Sequence, residues 1–199
     1  MREYTIRRIT GNPVFSAIPA LPIDTRLWCP EVAITAQAQI CYSEEGLHVL
    51  LSAKEENIRA EEKGLLGVPC VDSCLEFFFC PMEGDDRYLS IECNPNGCLF
   101  LGFCNTGRRI MRLIPEETKA IDPVVTMVEG GWNVFYTVPA SYIRLFFPEF
   151  ELTSGKVLMA NCFKCGDLTV QEHYFSWNPI DLVDPDFHRP DFFGKMILE

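Results

Sequence analysis

Apolar side chains recur at every second residue along much of this chain, and this period of two constrains its fold more than any other feature. The spacing is typical of β-strands, in which successive side chains point to opposite faces of a sheet. Turn-forming residues bound the runs, as Gly130 and Gly131 do before the sixth. The runs are VAITAQAQICYS (32–43), LHVLLSA (47–53), DSCLEFFFC (72–80), RYLSIECN (87–94), GCLFLGFC (97–104), WNVFYTVP (132–139) and KVLMANCFKC (156–165).

Closely spaced strands joined by polar hairpins favour antiparallel pairing over alternating strand–helix units. We therefore predict an all-β fold, an antiparallel β-sandwich with little helix. Short helical turns are expected only within KEENIRAEEKG (54–64) and SYIRLFF (141–147). The chain has 199 residues, enough for one sizeable core, and a single domain over residues 1–199 is expected.

The alternation also assigns side chains to faces of the predicted sheet. In DSCLEFFFC, Leu75, Phe77 and Phe79 share one face and Glu76 lies on the other. The short hairpin after this run makes RYLSIECN its neighbour. The polar face predicted from the two runs carries Glu76, Tyr88, Glu92 and Asn94. Tyrosine and carboxylate side chains on such a face are suited to binding sugar hydroxyls.

The charge of the chain limits its partners. Its formal net charge is -11 at pH 7, which disfavours binding to a nucleic-acid backbone or an anionic membrane surface. No apolar run reaches the roughly 18 to 20 residues that cross a bilayer. The N-terminal MREYTIRRITGNP lacks the apolar core of a signal peptide. We expect no nucleic-acid or membrane partner and a cytoplasmic location, or an extracellular one if a signal peptide has been removed.

Ten cysteines raise the question of disulfides and metals. Several fall inside alternating runs such as CLEFFFC and GCLFLGFC, where a thiol acts as a small buried apolar group. We therefore predict free structural thiols and no disulfide. Cys162 and Cys165 have the CxxC spacing of a zinc or redox pair, but no second pair or histidine couple is evident in the sequence. Zinc and redox roles are the weaker alternatives.

Two carboxylates and three histidines are the candidates for chemistry. Glu76 and Glu92, on adjacent predicted strands, resemble the acid and base of a glycosidase, although a solvated position or a hydrogen bond to a ligand is favoured for each. His48 is expected to pack within its apolar strand. His173 and His188 lie on either side of Trp177 in sequence, but nothing local marks a nucleophile–histidine–acid trio around them.

The three tryptophans differ in their surroundings. Trp28 precedes Cys29-Pro30 and Trp132 opens a strand, so both are expected in the core. Trp177 begins a loop in HYFSWNP. Its flat ring suits either the core or an exposed platform on which a sugar ring stacks.

Five motifs, taken in order, indicate a known family. They are DSCLEFFF, YLSIECNPNG, GGWNVFYTVP, NCFKCGDLTVQEHYFSWNP and FHRPDFFGKMIL. Together they resemble the family 9 carbohydrate-binding modules, in the stand-alone branch called family 9-like. The resemblance implies a β-sandwich of jelly-roll type, binding of the reducing ends of glucans and xylans, association with xylanases in polysaccharide catabolism, and structural calcium with no other cofactor required.

The resemblance also implies positions for the sugar site. In family members that bind sugar, two tryptophans clamp the ring, and their positions fall here on Cys70 and Phe187. Glu76 keeps the carboxylate that accepts a sugar hydroxyl. An arginine of the family falls near Glu92, and a following asparagine corresponds to Asn94.

The C-terminal run DFHRPDFFG (186–194) is predicted to latch the last strand. Pro190 stiffens it and Gly194 permits close packing. Phe193 is expected in the core and Phe192 partly buried. The residues predicted here for the rim of the site are Phe187, His188 and Arg189, the last either binding ligand or pairing with Asp184 or Asp186.

The leading functional hypothesis is non-catalytic binding of a carbohydrate. The alternatives are a glycoside hydrolase or lyase that uses Glu76 and Glu92, and an interaction domain whose sugar site has decayed. No catalytic residue or metal ligand is assigned. The predicted ligand-binding residues are Glu76, Tyr88, Glu92, Asn94, Trp177, Phe187, His188 and Arg189.

Overall fold

A computed structural model describes residues 1–107, 110–113 and 120–199. These residues form strands with very little helix, as the alternation predicted. The strands are β1 (Glu3–Arg8), β2 (Leu21–Ile23), β3 (Thr25–Leu27), β4 (Thr35–Tyr42), β5 (Gly46–Lys54), β6 (Cys74–Cys80), β7 (Arg87–Cys93), β8 (Leu99–Asn105), β9 (Ile110–Leu113), β10 (Val124–Val128), β11 (Gly131–Pro139), β12 (Val157–Gly166), β13 (His173–Ser176) and β14 (Gly194–Leu198). The helix α1 (Ala140–Phe146) follows β11, and single 3₁₀ turns lie at Phe15–Ala17, Pro69–Val71 and Pro190–Phe192.

The strands pair into one curled, mixed sheet. Its main path runs β10-β11-β5-β4-β1-β14-β12-β6-β7-β8-β9, with β2 beside β4, and β13 between β12 and β3. Antiparallel pairing throughout was predicted, and this is wrong at β1, which runs parallel to both of its neighbours. Glu3–Ile6 pair with β14 and Arg7–Arg8 with β4. The first strand therefore joins the two halves of the sheet.

The two halves bury their inner faces against a common core. Val49 and Trp132 from one half belong to the same buried cluster as Phe77 and Phe79 from the other. The face assignment made from the alternation is thus confirmed for β6, because Leu75 lies in this cluster too. One shared interior therefore buries the apolar side chains that alternate along these strands.

The half that contains β6, β7 and β12 is covered on its outer face as well. Phe78 and Phe163 form a second buried cluster there with Phe193, which comes from the C-terminal segment. Both faces of β6 are therefore buried, which explains why its sequence, CLEFFFC, is more continuously apolar than that of a half-exposed strand. Phe193 is 1% exposed and Phe192 half-buried, as predicted.

A buried ion pair connects the halves at one end of the core. The Lys164 Nζ lies 3.2 Å from Glu55 Oε2 and 2.7 Å from His173 Nε2. Glu55 also accepts hydrogen bonds from the Trp132 indole at 2.8 Å and the Ser73 hydroxyl at 2.9 Å. The His173 Nδ1 donates to a backbone carbonyl at 2.7 Å, so its Nε2 is the atom that accepts from the lysine.

One predicted helical turn is present and the other is not. SYIRLFF lies in α1, but residues 54–64 leave β5 as an irregular loop. The carboxylate of Asp72 accepts hydrogen bonds from the backbone N–H groups of Glu61 and Glu62 at 2.9 and 2.8 Å. It also binds the guanidinium of Arg59. These N–H groups bind a buried acid that lies 10 and 11 residues further along the chain and outside the segment, so charge patterning within the segment does not reveal it.

Eight of the ten cysteines are buried, and all ten are unpaired. Cys162 points into the shared core, whereas Cys165 points to the opposite face of β12. The CxxC pair therefore does not converge on one metal ion. His48 is buried between the hydroxyls of Ser43 and Thr137, at 2.8 and 3.0 Å. None of the helices in the described residues combines the length and apolarity needed to span a bilayer.

Candidate functional site

Two carboxyl groups on adjacent strands form one face of a cavity. Glu76 on β6 and Glu92 on β7 are directly opposite each other in the antiparallel register. They are 2% and 6% exposed, so the polar face expected from the sequence is covered. A strand pair with one face in the core sends alternate side chains to the other face, and these two acids therefore lie side by side.

The cavity has a volume of about 330 Å³. Such a volume lies at the lower end of the range for small-molecule sites, roughly 300 to 1,000 Å³. The lining residues are Trp28, Cys70, Glu76, Glu92, Cys165, Asp167, Tyr174, Pro185, Asp186, Phe187 and His188. Four of them are acids and none of these described residues is lysine or arginine, so the cavity suits a neutral or cationic ligand.

Burial dominates the electrostatics of the carboxyl face. Loss of hydration raises the pKa of Glu76, although a hydrogen bond from Cys165 Sγ to its Oε1, 3.0 Å away, favours the charged form. Loss of hydration also raises the pKa of Glu92, and repulsion from Glu76 adds to it. Burial raises the pKa of Asp167 too. Proton-bearing carboxyls donate hydrogen bonds as well as accept them. This face can therefore donate to the oxygen of a ligand hydroxyl and accept from its hydrogen.

Aromatic rings line the other side of the cavity. Trp28, Tyr174 and Phe187 contact one another, with ring centroids 5.9 to 6.0 Å apart. Phe187 also stacks on Phe163 at 4.2 Å and 12°. One face of the Phe187 ring is thereby covered by Phe163, whereas Trp28 lines the cavity from a half-buried position.

Trp28 is held in an unusual backbone conformation. Its φ is 45°, and it is the only residue other than glycine with positive φ in the part of the chain that the structure describes. Its indole N–H donates to the carbonyl of Leu182 at 2.7 Å. Such strain costs about 1 to 3 kcal/mol and is common at ligand-binding sites. The sequence indicated a core role for Trp28, and its place beside the cavity depends on this long-range contact.

His188 lies at the junction of the aromatic side and the sheet. Its Nδ1 is 2.9 Å from the hydroxyl of Tyr88. Its ring lies against Phe78, with centroids 5.0 Å apart. Tyr88 is fully buried and does not line the cavity. Four of the predicted site residues line the cavity: Glu76, Glu92, Phe187 and His188. Tyr88 contacts His188 on the side away from the cavity.

Three predicted site residues lie elsewhere. The amide of Asn94 is fully buried and binds Asp72 Oδ2 at 2.7 Å and the carbonyl of Glu62 at 2.9 Å. Its Oδ1 accepts from two backbone N–H groups of the following turn. All of its hydrogen-bonding capacity is used within the fold, so Asn94 positions the β7–β8 turn and does not face the cavity.

Trp177 and Arg189 are placed differently from the predicted rim. Trp177 is 3% exposed, and its ring packs so closely on Gly194 that an added Cβ would come within 2.7 Å of it. Arg189 pairs with Asp191 at 2.5 Å on the surface, an acid that the sequence analysis did not consider as its partner. Its guanidinium also lies over the ring of Phe192. Asp191 lies two residues further along the chain, in the 3₁₀ turn Pro190–Phe192.

The sequence and the fold of this chain are similar to those of known proteins. A β-rich domain with acids and aromatic rings around one cavity belongs to the class of small-ligand binding domains. The model of carbohydrate-binding family 9 matches residues 12–198. The chain therefore belongs to that family, which confirms the identification made from the sequence motifs and carbohydrate binding as its class of function.

Solved structures agree with this assignment. A candidate carbohydrate-binding protein from Bacteroides uniformis has 26% identity and a TM-score of 0.83, covering 100% of this chain and 99% of its own. A family 9 module from Caldicellulosiruptor kristjanssonii in complex with glucose has 10% identity and a TM-score of 0.66, covering 100% and 96%. A family 9 module from the same organism in complex with cellotriose has 10% identity and a TM-score of 0.68, covering 100% of this chain and 94% of its own. The Caldicellulosiruptor matches show the shared fold. No curated protein matches the chain.

Proposed function

We propose that this chain binds a neutral sugar of the glucan or xylan type in the cavity described above and does not cleave it. The observation that carries the proposal is the convergence of Glu76 and Glu92 with Trp28 and Phe187 on one cavity of about 330 Å³. The two Caldicellulosiruptor modules were solved with glucose and cellotriose. These two sugars are therefore the first to test.

The carboxyl face supplies polar recognition. A sugar hydroxyl donates to one carboxyl oxygen and accepts from a neighbouring protonated carboxyl, so the Glu76–Glu92 pair serves both roles. Each hydrogen bond to a charged group contributes about 1.5 to 3 kcal/mol. Asp167 and Asp186 also line the cavity, and the described lining contains no lysine or arginine, so uronic acids and sugar phosphates are disfavoured by charge repulsion.

The aromatic side supplies the apolar contact. The C–H face of a pyranose stacks on a flat ring, and Trp28 offers the largest ring among the cavity residues. Cys70 and Phe187 occupy the positions of the family's two clamping tryptophans and both line the cavity. Because Phe163 covers one face of Phe187, Trp28 is the principal stacking platform in this proposal and Phe187 its support.

The remaining predicted residues have indirect roles. His188 borders the sugar and is oriented by the hydroxyl of Tyr88. Asn94, Trp177 and Arg189 lie outside the cavity lining and stabilise the elements around it. We further propose that the fold is a sandwich of jelly-roll type, as the resemblance implies.

Structural calcium is implied by the resemblance alone. Among the described residues, one group of three potential metal-binding side chains converges, and it contains two thiols and one carboxyl, Cys74, Cys165 and Glu76. Calcium takes six to eight oxygen ligands, so this group does not fit calcium.

A glycan array followed by calorimetry on glucose, cellotriose and xylo-oligosaccharides tests the proposal. The expected result is saturable binding of a neutral glycan at one site per chain, with the ligand recovered intact. Binding that survives Glu76→Ala with an unchanged melting curve would remove Glu76 from the site. Shortened products would favour the hydrolase alternative, and no binding across the array would favour the decayed site.

A further inference from the structure

Three metal-binding side chains converge beneath the cavity. Cys74 on β6 and Cys165 on β12 are directly opposite each other in the register, and Glu76 lies two residues further along the same face of β6. One ligand atom from each, two Sγ atoms and a carboxylate oxygen, all lie within 4.8 Å of one another. All three side chains are buried.

We propose that Cys74, Cys165 and Glu76 form a binding site for a thiophilic divalent cation of the zinc type. In a tetrahedral zinc site, bond lengths of about 2.3 Å to sulfur and 2.1 Å to oxygen place sulfurs about 3.8 Å apart and sulfur and oxygen about 3.6 Å apart. The Cys165 Sγ and Glu76 Oε1 are already 3.0 Å apart. An outward shift of the carboxylate by about 0.6 Å would bring this pair to the zinc spacing, and the Cys74 Sγ lies within 4.8 Å of both atoms.

The charge around the three ligands favours a cation. Glu92 is 6% exposed and makes no hydrogen bond or ion pair within the described residues, although it faces the same cavity. Asp167 also lines this cavity, whereas lysine and arginine are absent from the described lining. Acidic side chains that line a cavity attract cations into it, where the two thiols and Glu76 can bind one.

The proposed site is open on one side. Cys165 and Glu76 both line the cavity, so the fourth position of a tetrahedral ion faces it and takes a water molecule or a hydroxyl. Binding displaces the two thiol protons to solvent, and two thiolates, one carboxylate and the ion together carry one net negative charge. Cys162 is not a ligand because it points into the opposite core face.

Cobalt titration of the native chain tests this site without any sugar. The protein is fully reduced and stripped with a chelator, then titrated with Co²⁺ as a spectroscopic substitute for zinc. We expect thiolate-to-cobalt charge-transfer absorption that saturates at one ion per chain. Zn²⁺ should abolish it, and excess Ca²⁺ should not, because calcium avoids thiolates.

Variants locate the ion. Cys74→Ala and Cys165→Ala should each reduce the charge-transfer absorption by half or more, whereas Cys162→Ala, the other half of the CxxC pair, should retain it. Unaltered absorption in both ligand variants, or none in the reduced native chain, overturns the proposal. If either variant fails to fold, zinc protection of Cys74 and Cys165 from alkylation in the native chain decides, and equal labelling with and without zinc overturns the site. Because no glycan is present, failure here leaves the sugar proposal unaffected.

Discussion

Glu92 and Asn94 show how two neighbouring buried polar residues can have opposite roles. Both lie on the same face of the chain, and the alternation placed both on the polar side. The fold uses the whole amide of Asn94 to hold Asp72 and the next turn. It gives the carboxyl of Glu92 no partner among the described residues, although that side chain is 6% exposed. The alternation predicts the face, but only the hydrogen-bond partners distinguish a structural residue from one available to a ligand.

Replacing Glu92 with glutamine should weaken sugar binding and stabilise the fold. The amide cannot exchange its donor and acceptor atoms as a protonated carboxyl can, and the loss of one neutral hydrogen bond, about 0.5 to 1.5 kcal/mol, should lower the affinity about two- to tenfold. It also removes an acid whose charged form is disfavoured by burial, and the free energy of unfolding should rise by about 1 kcal/mol. Calorimetry and chemical denaturation measure the two effects. Glu129→Gln, on an exposed loop, is the control, and an unchanged affinity for Glu92→Gln would contradict the assignment.

Trp28 and Trp177 provide a matched pair of aromatic truncations. Trp28→Ala should lower sugar affinity by about two- to tenfold because a stacking face worth about 0.5 to 1.5 kcal/mol is lost. Trp177→Ala removes a ring packed on Gly194 in the core and should lower the free energy of unfolding by about 3 to 5 kcal/mol. Titration and melting curves on both variants separate the roles. A Trp28→Ala variant that binds sugar normally would exclude Trp28 as the platform.

At the scale of elements, the sequence predicts the long strands and the last strand, β14, and misses the other short ones. Seven alternating runs correspond to β4 to β8, β11 and β12. The strands β2 and β3 have three residues each, too few to show a period. The parallel pairing of β1 depends on partners distant in sequence. For the site, alternation located Glu76 and Glu92, whereas Trp28 and Asp167 reach the cavity through loops whose course no local pattern encodes.

The buried ion pair between β12 and the end of β5 should be essential to the packing of the two halves. Lys164→Met leaves the charge of Glu55 buried without its lysine, which should lower the free energy of unfolding by about 3 to 5 kcal/mol. In the double variant Lys164→Met/Glu55→Gln, the amide oxygen still accepts from Trp132 and the amide N–H group can donate to the Ser73 hydroxyl, so much of the loss should be recovered. Denaturant unfolding of the single and double variants measures this. Equal stability of Lys164→Met and the native chain would show that the pair contributes little.

At the scale of the whole molecule, β1 holds the two halves of the sheet together. Its first residues pair with β14 and its last with β4, and Ile6 at the change of partner is fully buried in the shared core. The strand was not predicted from the sequence because EYTIRR is mostly polar. Its place is determined by the two edges it joins.

Ile6→Ala should therefore destabilise the whole domain and not only its first strand. The cavity left by a truncated core isoleucine should lower the free energy of unfolding by about 2 to 5 kcal/mol. Unfolding should remain a single transition by fluorescence and circular dichroism. The exposed neighbour change Thr5→Ala is the control. Two separate transitions in Ile6→Ala would instead show that the halves unfold independently.

The pairing of β1 with β14 also determines the order in which the chain can fold. Glu3 lies beside Lys195 in the register, so this contact closes a very long loop of the chain. During synthesis, β1 cannot pair with β14 until β14 has left the ribosome, and the edge of β1 that faces β14 stays open to other chains until then. Long-range pairings of this kind slow folding, because the loop must close before any contact compensates for the lost entropy. The segment that carries Phe187 and His188 emerges just before β14, so the cavity is among the last features to form.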